Sequence, residues 1–114
     1  PKLSVIESWA AQVPDGFRFV LKASQRITHF KRLVDVADET EFLQRAASAL
    51  QAKRGPLLFQ LPPNLKKDVP RLTAFLRLLE AGTHAAFEFR HESWLDDEVF
   101  DCLRANSAAL CGSM

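Results

Sequence analysis

Long hydrophobic runs, surplus charge and cysteine are all scarce in this 114-residue chain, and each scarcity closes off a class of protein. Its apolar stretches run to a handful of residues, against the roughly 20 that a helix needs to cross a bilayer, so no membrane span is expected. No basic segment followed by an apolar one has the form of a secretory signal. Fifteen Lys and Arg face fourteen Asp and Glu, for a net charge of +1. That balance removes the general electrostatic case for nucleic acid or an anionic membrane as partner. The two cysteines, Cys102 and Cys111, lie in apolar segments and read as small apolar filler, not as a disulfide or metal pair; a reducing cytoplasm fits. Also missing are a Walker loop, GxGxxG, GxSxG, HExxH, an internal repeat and any linker-like stretch.

What remains is 47% hydrophobic and 25% charged, ordinary for one globular unit. Four apolar, strand-like runs alternate with amphipathic segments. "LSVIESWAAQ" reads as the end of a helix, closed by the turn Pro14-Asp15-Gly16. "FRFVLKAS" (17–24) is a strand. "DETEFLQRAASALQAKRG" (38–55) is a helix, with a capping-box pattern at Asp38 and Glu41, an apolar face of Phe42, Ala46, Ala49 and Leu50, and Gly55 as its stop. "GPLLFQLPP" (55–63) is a second strand, ended by prolines that cannot extend a ladder. Asp68 caps a helix through Leu79, in which Leu72, Phe75, Leu76 and Leu79 share one face. "AAFEFR" (85–90) is a third strand, 96–105 a helix carrying Val99, Phe100 and Leu103, and Asn106 a stop before the strand "AALC".

This rhythm is the signature of parallel βαβ units with right-handed crossovers. Parity along the strands divides them. Phe17, Phe19, Leu21, Leu57, Phe59, Leu61, Phe87 and Phe89 fall on one face. Arg18, Val20, Lys22, Leu58, Gln60, Ala86, Glu88 and Arg90 fall on the other, which turns polar toward the strand C-termini. A doubly wound sheet needs apolar residues on both faces, whereas a (β/α)₈ barrel has one face toward helices and one opening at a polar mouth. The fold class expected is therefore α/β, with parallel βαβ units forming about half of a TIM-type barrel. A single partial domain over 1–114 is the matching expectation, with both ends reading as cut.

Three motifs in order, "GFRFVLKASQRITHFKRL" (16–33), "GPLLFQLPPN" (55–64) and "AFEFRHESW" (86–94), together with Trp9 and the closing "ALC", resemble the YecE-like family, also called domain of unknown function 72. The resemblance covers nearly the whole chain. It implies a TIM-barrel-like fold for a complete protein of which this would be the central portion. Where the family pattern continues from "ALC" into a short stretch with an Asp, this chain has Gly112, Ser113 and Met114. The resemblance implies no reaction, since the family has none assigned.

The candidate site follows from the polar face. Lys22, Gln60, Glu88 and Arg90 are its charged and amide members, and a charge on an inward face must be paired. Lys22 and Glu88 lie on alternate strands, which share a layer in such barrels, so they are expected to pair. The competing readings are a structural ion-pair layer and a site in which Lys22 and Arg90 hold a small anionic or polyhydroxyl ligand while Glu88 acts as acid or base. His91 and Trp94 lie just past the third strand, in a loop at the end where barrel active sites form. Thr28 and His29 fall in a long loop after the first. His29 is a second acid–base candidate, and Arg26, Lys31 and Arg32 around it offer an anion clamp. Catalytic candidates are thus Glu88, His29 and His91; binding candidates are Lys22, Arg90, Gln60, Thr28 and Trp94. Trp94 stacks on a ligand in one reading and plugs the loop from below in the other. Glu88, His91 and His29 are ligand types that zinc or manganese accepts, but nothing in their spacing requires a metal, and no cofactor is expected. Hydrolytic, isomerising or lyase chemistry is one function class; a non-catalytic module binding nucleic acid or a protein is the other. Two unpaired strand edges make the chain expected to associate unless the barrel is completed.

Overall fold

A computed structural model of the chain describes residues 2–111. Residues 112–114, where the family pattern diverges, lie outside the described residues. The elements run α1 (Leu3–Ala11), β1 (Phe19–Lys22), α2 (Ala37–Ala49), β2 (Arg54–Gln60), α3 (Val69–Leu76), β3 (Ala85–Glu88), α4 (Asp97–Ala105) and β4 (Ala108–Leu110). The four strands form one parallel sheet in the order β1-β2-β3-β4. Each crossover moves one strand in the same direction, and right-handed crossovers of that kind place every helix on the same face.

Burial along the strands follows. Leu57, Phe59, Leu61, Phe87 and Phe89 are at most 2% exposed and pack under the helices. Phe59 stacks on Phe87 at 5.0 Å, and Phe75 of α3 meets both edge-on. The alternate residues face the other way, where none of the described helices packs: Val20 and Lys22 are exposed, and Leu58, Gln60 and Ala86 are half-buried. The two-faced parity is therefore present, and the sheet is singly wound. Phe17 falls before β1 begins and is exposed, resting edge-on against Phe19.

Two helix starts are capped as their sequences require. The Asp68 carboxylate accepts from the Arg71 N–H at 3.0 Å, and Asp96 accepts from Glu98 N–H at 2.7 Å, each meeting one orphan donor of the first turn. The capping box expected at Asp38 is absent: α2 begins at Ala37, with Val36 as N-cap and no side-chain bond. Gly55 is not the helix stop either. Gln51, at φ +52°, takes the left-handed position after α2. Gly55 instead lies in β2, where a Cβ would come within 2.6 Å of the Phe19 carbonyl oxygen. The β1–β2 register slips by one residue at this point, so the bulge and the close approach share one glycine.

Candidate functional site

Parallel strands bring all their C-terminal ends to one edge of the sheet, so the residues closing β1, β2 and β3 share a rim. Gln60 is registered opposite Glu88, and its Nε2 lies 3.4 Å from both Glu88 oxygens. Arg90 donates to Glu88 Oε1 from Nε at 3.0 Å and from Nη2 at 2.8 Å. Glu88 is 8% exposed, and its carboxylate is compensated by the guanidinium and amide around it. Arg90 remains half exposed and uses two of its five N–H donors here.

The expected Lys22–Glu88 pair does not form. Lys22 is registered with Leu58, and Leu58 with Ala86, so the hydrogen-bonded rungs carry it two residues short of Glu88. Arg90, two residues past Glu88 and just beyond the end of β3, reaches the carboxylate first. Lys22 is exposed and has no salt bridge among the described residues.

Past β3, His91 starts a 3₁₀ turn, Glu92–Trp94. Its Nδ1 accepts from the Ser93 backbone N–H at 3.1 Å and sits 2.8 Å from Ser93 Oγ. Ser93 Oγ in turn accepts from the Lys67 N–H at 2.7 Å. A backbone N–H can only donate, so Nδ1 is the acceptor nitrogen and the neutral ring carries its proton on Nε2. Lys67 also grips this loop with its ammonium, bonding Asp96 at 2.8 Å and Glu98 at 2.9 Å. Those bonds hold the Asp96 carboxyl below its usual pKa and raise that of Lys67.

Trp94 is corrected as a ligand-binding candidate. It is fully buried, stacked on Phe89 at 4.6 Å with planes 5° apart, and its Nε1 donates to the Leu65 carbonyl at 2.7 Å. An indole satisfied on its one polar atom and covered on its faces is a plug beneath the β2–α3 and β3–α4 loops. Thr28 is also corrected: at 1% exposure it offers no surface to a ligand, and its Oγ1 lies 2.7 Å from His29 Nδ1. Both belong to a π-helical turn, Arg26–Phe30, where an open loop was expected. His29 is half-buried there, and no hydrogen bond or ion pair joins it to Glu88 among the described residues.

The basic clamp around His29 already holds an anion. Glu39, from the start of α2, accepts from Arg26 Nε at 2.8 Å and Lys31 Nζ at 2.9 Å. The Lys31 and Arg26 bonds lower its pKa to about 2. Glu39 was invisible as a partner because sequence shows only that it follows the basic residues, not that α2 folds back over them. The turn between is strained, with Arg32, Leu33 and Asp35 all at positive φ. Among the described residues, no three His, Cys, Asp or Glu side chains lie close enough to hold a metal ion, and no helix is long and apolar enough to cross a membrane.

The fold and this rim define a parallel α/β protein, singly wound, with a charged cluster at the C-terminal ends of its strands. The chain belongs to the DUF72 family of proteins of unknown function, whose model matches residues 1–113. Over 93 residues it is 36% identical to UPF0759 protein YecE of Escherichia coli K12, covering 80% of this chain and 34% of that protein. The same figures hold for YecE of Escherichia coli O157:H7. The chain thus spans about a third of the length of the curated relatives it matches. Its fold matches a DUF72 family protein from Thermotoga maritima, with a TM-score of 0.81 at 24% identity, and one from Enterococcus faecalis, with 0.79 at 19%. Each match covers 96% of this chain and 44% of the other.

Proposed function

We propose that this sheet is one arc of a TIM-type barrel and that its polar rim binds a small anionic or polyhydroxyl ligand in a cytoplasmic protein. Support for the arc comes from the single winding, the helix-free second face and relatives more than twice as long. The observation that carries the ligand is the state of the two cations. Among the described residues, Arg90 keeps three N–H donors beyond those on Glu88, and Lys22 keeps its whole ammonium, on the same uncovered face.

In this reading Arg90 grips a carboxylate or phosphate end-on, with a fork suited to two oxygens. Lys22 adds a second positive charge, and the Gln60 amide meets a hydroxyl. Glu88, while held by Arg90, is a hydrogen-bond acceptor. A ligand that draws Arg90 away frees it as a base. The Nε2–H of His91 is a fixed donor at the next loop. His29 stands apart from this set.

Titration of inorganic phosphate, with xylitol as the polyhydroxyl probe, into isotopically labelled chain tests the reading. Saturable amide and side-chain shifts are expected at Lys22, Gln60 and Arg90, and Arg90→Met should abolish those caused by phosphate. Shifts that are absent, that never saturate, or that persist unchanged in Arg90→Met would overturn it.

A further inference from the structure

We propose that Glu88 decides the charge of the ligand, turning the rim toward singly charged hydroxycarboxylates and away from dianions such as sulfate. The inference rests on the rim binding anions through Arg90 and names which of them it takes. Glu88 ends β3, which lies between β2 and β4, so a described strand stands on each side of it. A guanidinium offers its donors along its edges. Glu88 Oε1 takes the edge formed by Nε and Nη2, at 3.0 and 2.8 Å. Among the described residues, the edge of Nη1 and Nη2 keeps three N–H groups without a protein acceptor. That edge fits the two oxygens of one carboxylate, and with Glu88 on one edge a ligand takes the other.

A ligand held there is separated from the Glu88 carboxylate by one guanidinium group. The charges of Glu88 and Arg90 cancel as a pair, and Gln60, the other partner of the carboxylate, is uncharged. The Gln60 bonds are long, 3.4 Å to each oxygen, so Arg90 alone offsets the negative charge. Glu88 is nearly buried, and little water screens its field from the neighbouring position. Lys22, on the same face, brings the candidate set to one net positive charge, which matches a monoanion. A dianion carries a second negative charge for which the set has no further cation. It also gives up a stronger hydration shell on binding and is repelled by Glu88 across the guanidinium. The Gln60 amide beside the pair suits a hydroxyl next to the carboxylate, as in glycolate.

Titrations of glycolate and of sulfate into isotopically labelled chain at one ionic strength, followed at the Arg90 Nε–H, test this. The parent chain should bind glycolate more tightly than sulfate, a comparison that needs no variant. Glu88→Gln keeps an oxygen to accept from Arg90 and removes the charge. It should move the sulfate-to-glycolate affinity ratio at least about tenfold toward sulfate. Glu88→Asp keeps the charge and should hold the parent ratio even where both affinities fall. Circular dichroism verifies the fold of each variant, and a loss of affinity common to both anions leaves the ratio unmoved. Sulfate binding more tightly than glycolate in the parent, or a ratio unchanged in Glu88→Gln, would overturn the selectivity and leave Arg90 as an anion site. Saturable binding of neither anion would overturn the anion site as well.

Discussion

Arg90 and Glu88, two residues apart at the end of β3, are joined through a single carboxylate oxygen that accepts from both Nε and Nη2, at 3.0 and 2.8 Å. The pair explains how a nearly buried carboxylate is tolerated on a strand whose alternate positions are phenylalanine. It also decides which substitutions should matter at the rim.

Replacing Glu88 with Gln removes the charge that Arg90 and Gln60 compensate. We expect a loss of about 1–2 kcal/mol, the lower part of the range for bonds to charged groups because Arg90 is half exposed. Lys22→Met, at an exposed position with no ion pair among the described residues, should change stability by less than about 0.5 kcal/mol. Urea unfolding of both variants checks the contrast; equal losses would point back to a Lys22–Glu88 interaction.

Phe89 and Trp94 stack face to face and are both fully buried. Either one changed to Ala should cost roughly 3–5 kcal/mol. The double variant should cost less than the sum, by about 0.5–1.5 kcal/mol beyond simple area loss. A double-mutant cycle by denaturant unfolding gives the coupling, and strict additivity would mean that the stack contributes nothing of its own.

Acid should loosen the clasp of α2 on the strained β1–α2 turn. The pKa of Glu39 is depressed to about 2 from 4.5 by Lys31 and Arg26. Its stabilising contribution is therefore complete above the unfolded value and is lost as pH falls from about 4.5 toward 2. Glu39→Gln should flatten that part of the stability–pH curve and leave the region above pH 6 parallel to the parent. Urea midpoints measured from pH 7 to pH 2 test it; an unchanged acid limb would show that the pair is too well solvated to matter.

Gly55→Ala should separate β1 from β2. The added Cβ meets a backbone oxygen, Phe19 O, at 2.6 Å, and backbone cannot rotate away as a side chain can. A cost of roughly 1–3 kcal/mol is expected. Hydrogen exchange should quicken selectively at amides of Phe19–Lys22, and uniform protection across the sheet would contradict this account.

Sequence alone determined the alternation of strands and helices, the parallel class, the cap at Asp68, and the two-faced character of the strands. These depend on periodicity and on bonds spanning three residues or fewer, which any linear reading can inspect. It also indicated that Glu88 and Arg90 share a side of β3, since parity is local. What only the tertiary structure decided was which charges meet. The rung that carries Lys22 ends opposite Leu58 and Ala86, so Glu88 took Arg90. Glu39, thirteen residues beyond Arg26, folded back to neutralise a loop that reads as basic. Gly55 became a point of contact between strands, and Trp94 a plug bonded to Leu65 twenty-nine positions earlier. Register and chain reversal set these partnerships, because ion pairs and close contacts act over a few ångströms in space, wherever along the chain their partners lie.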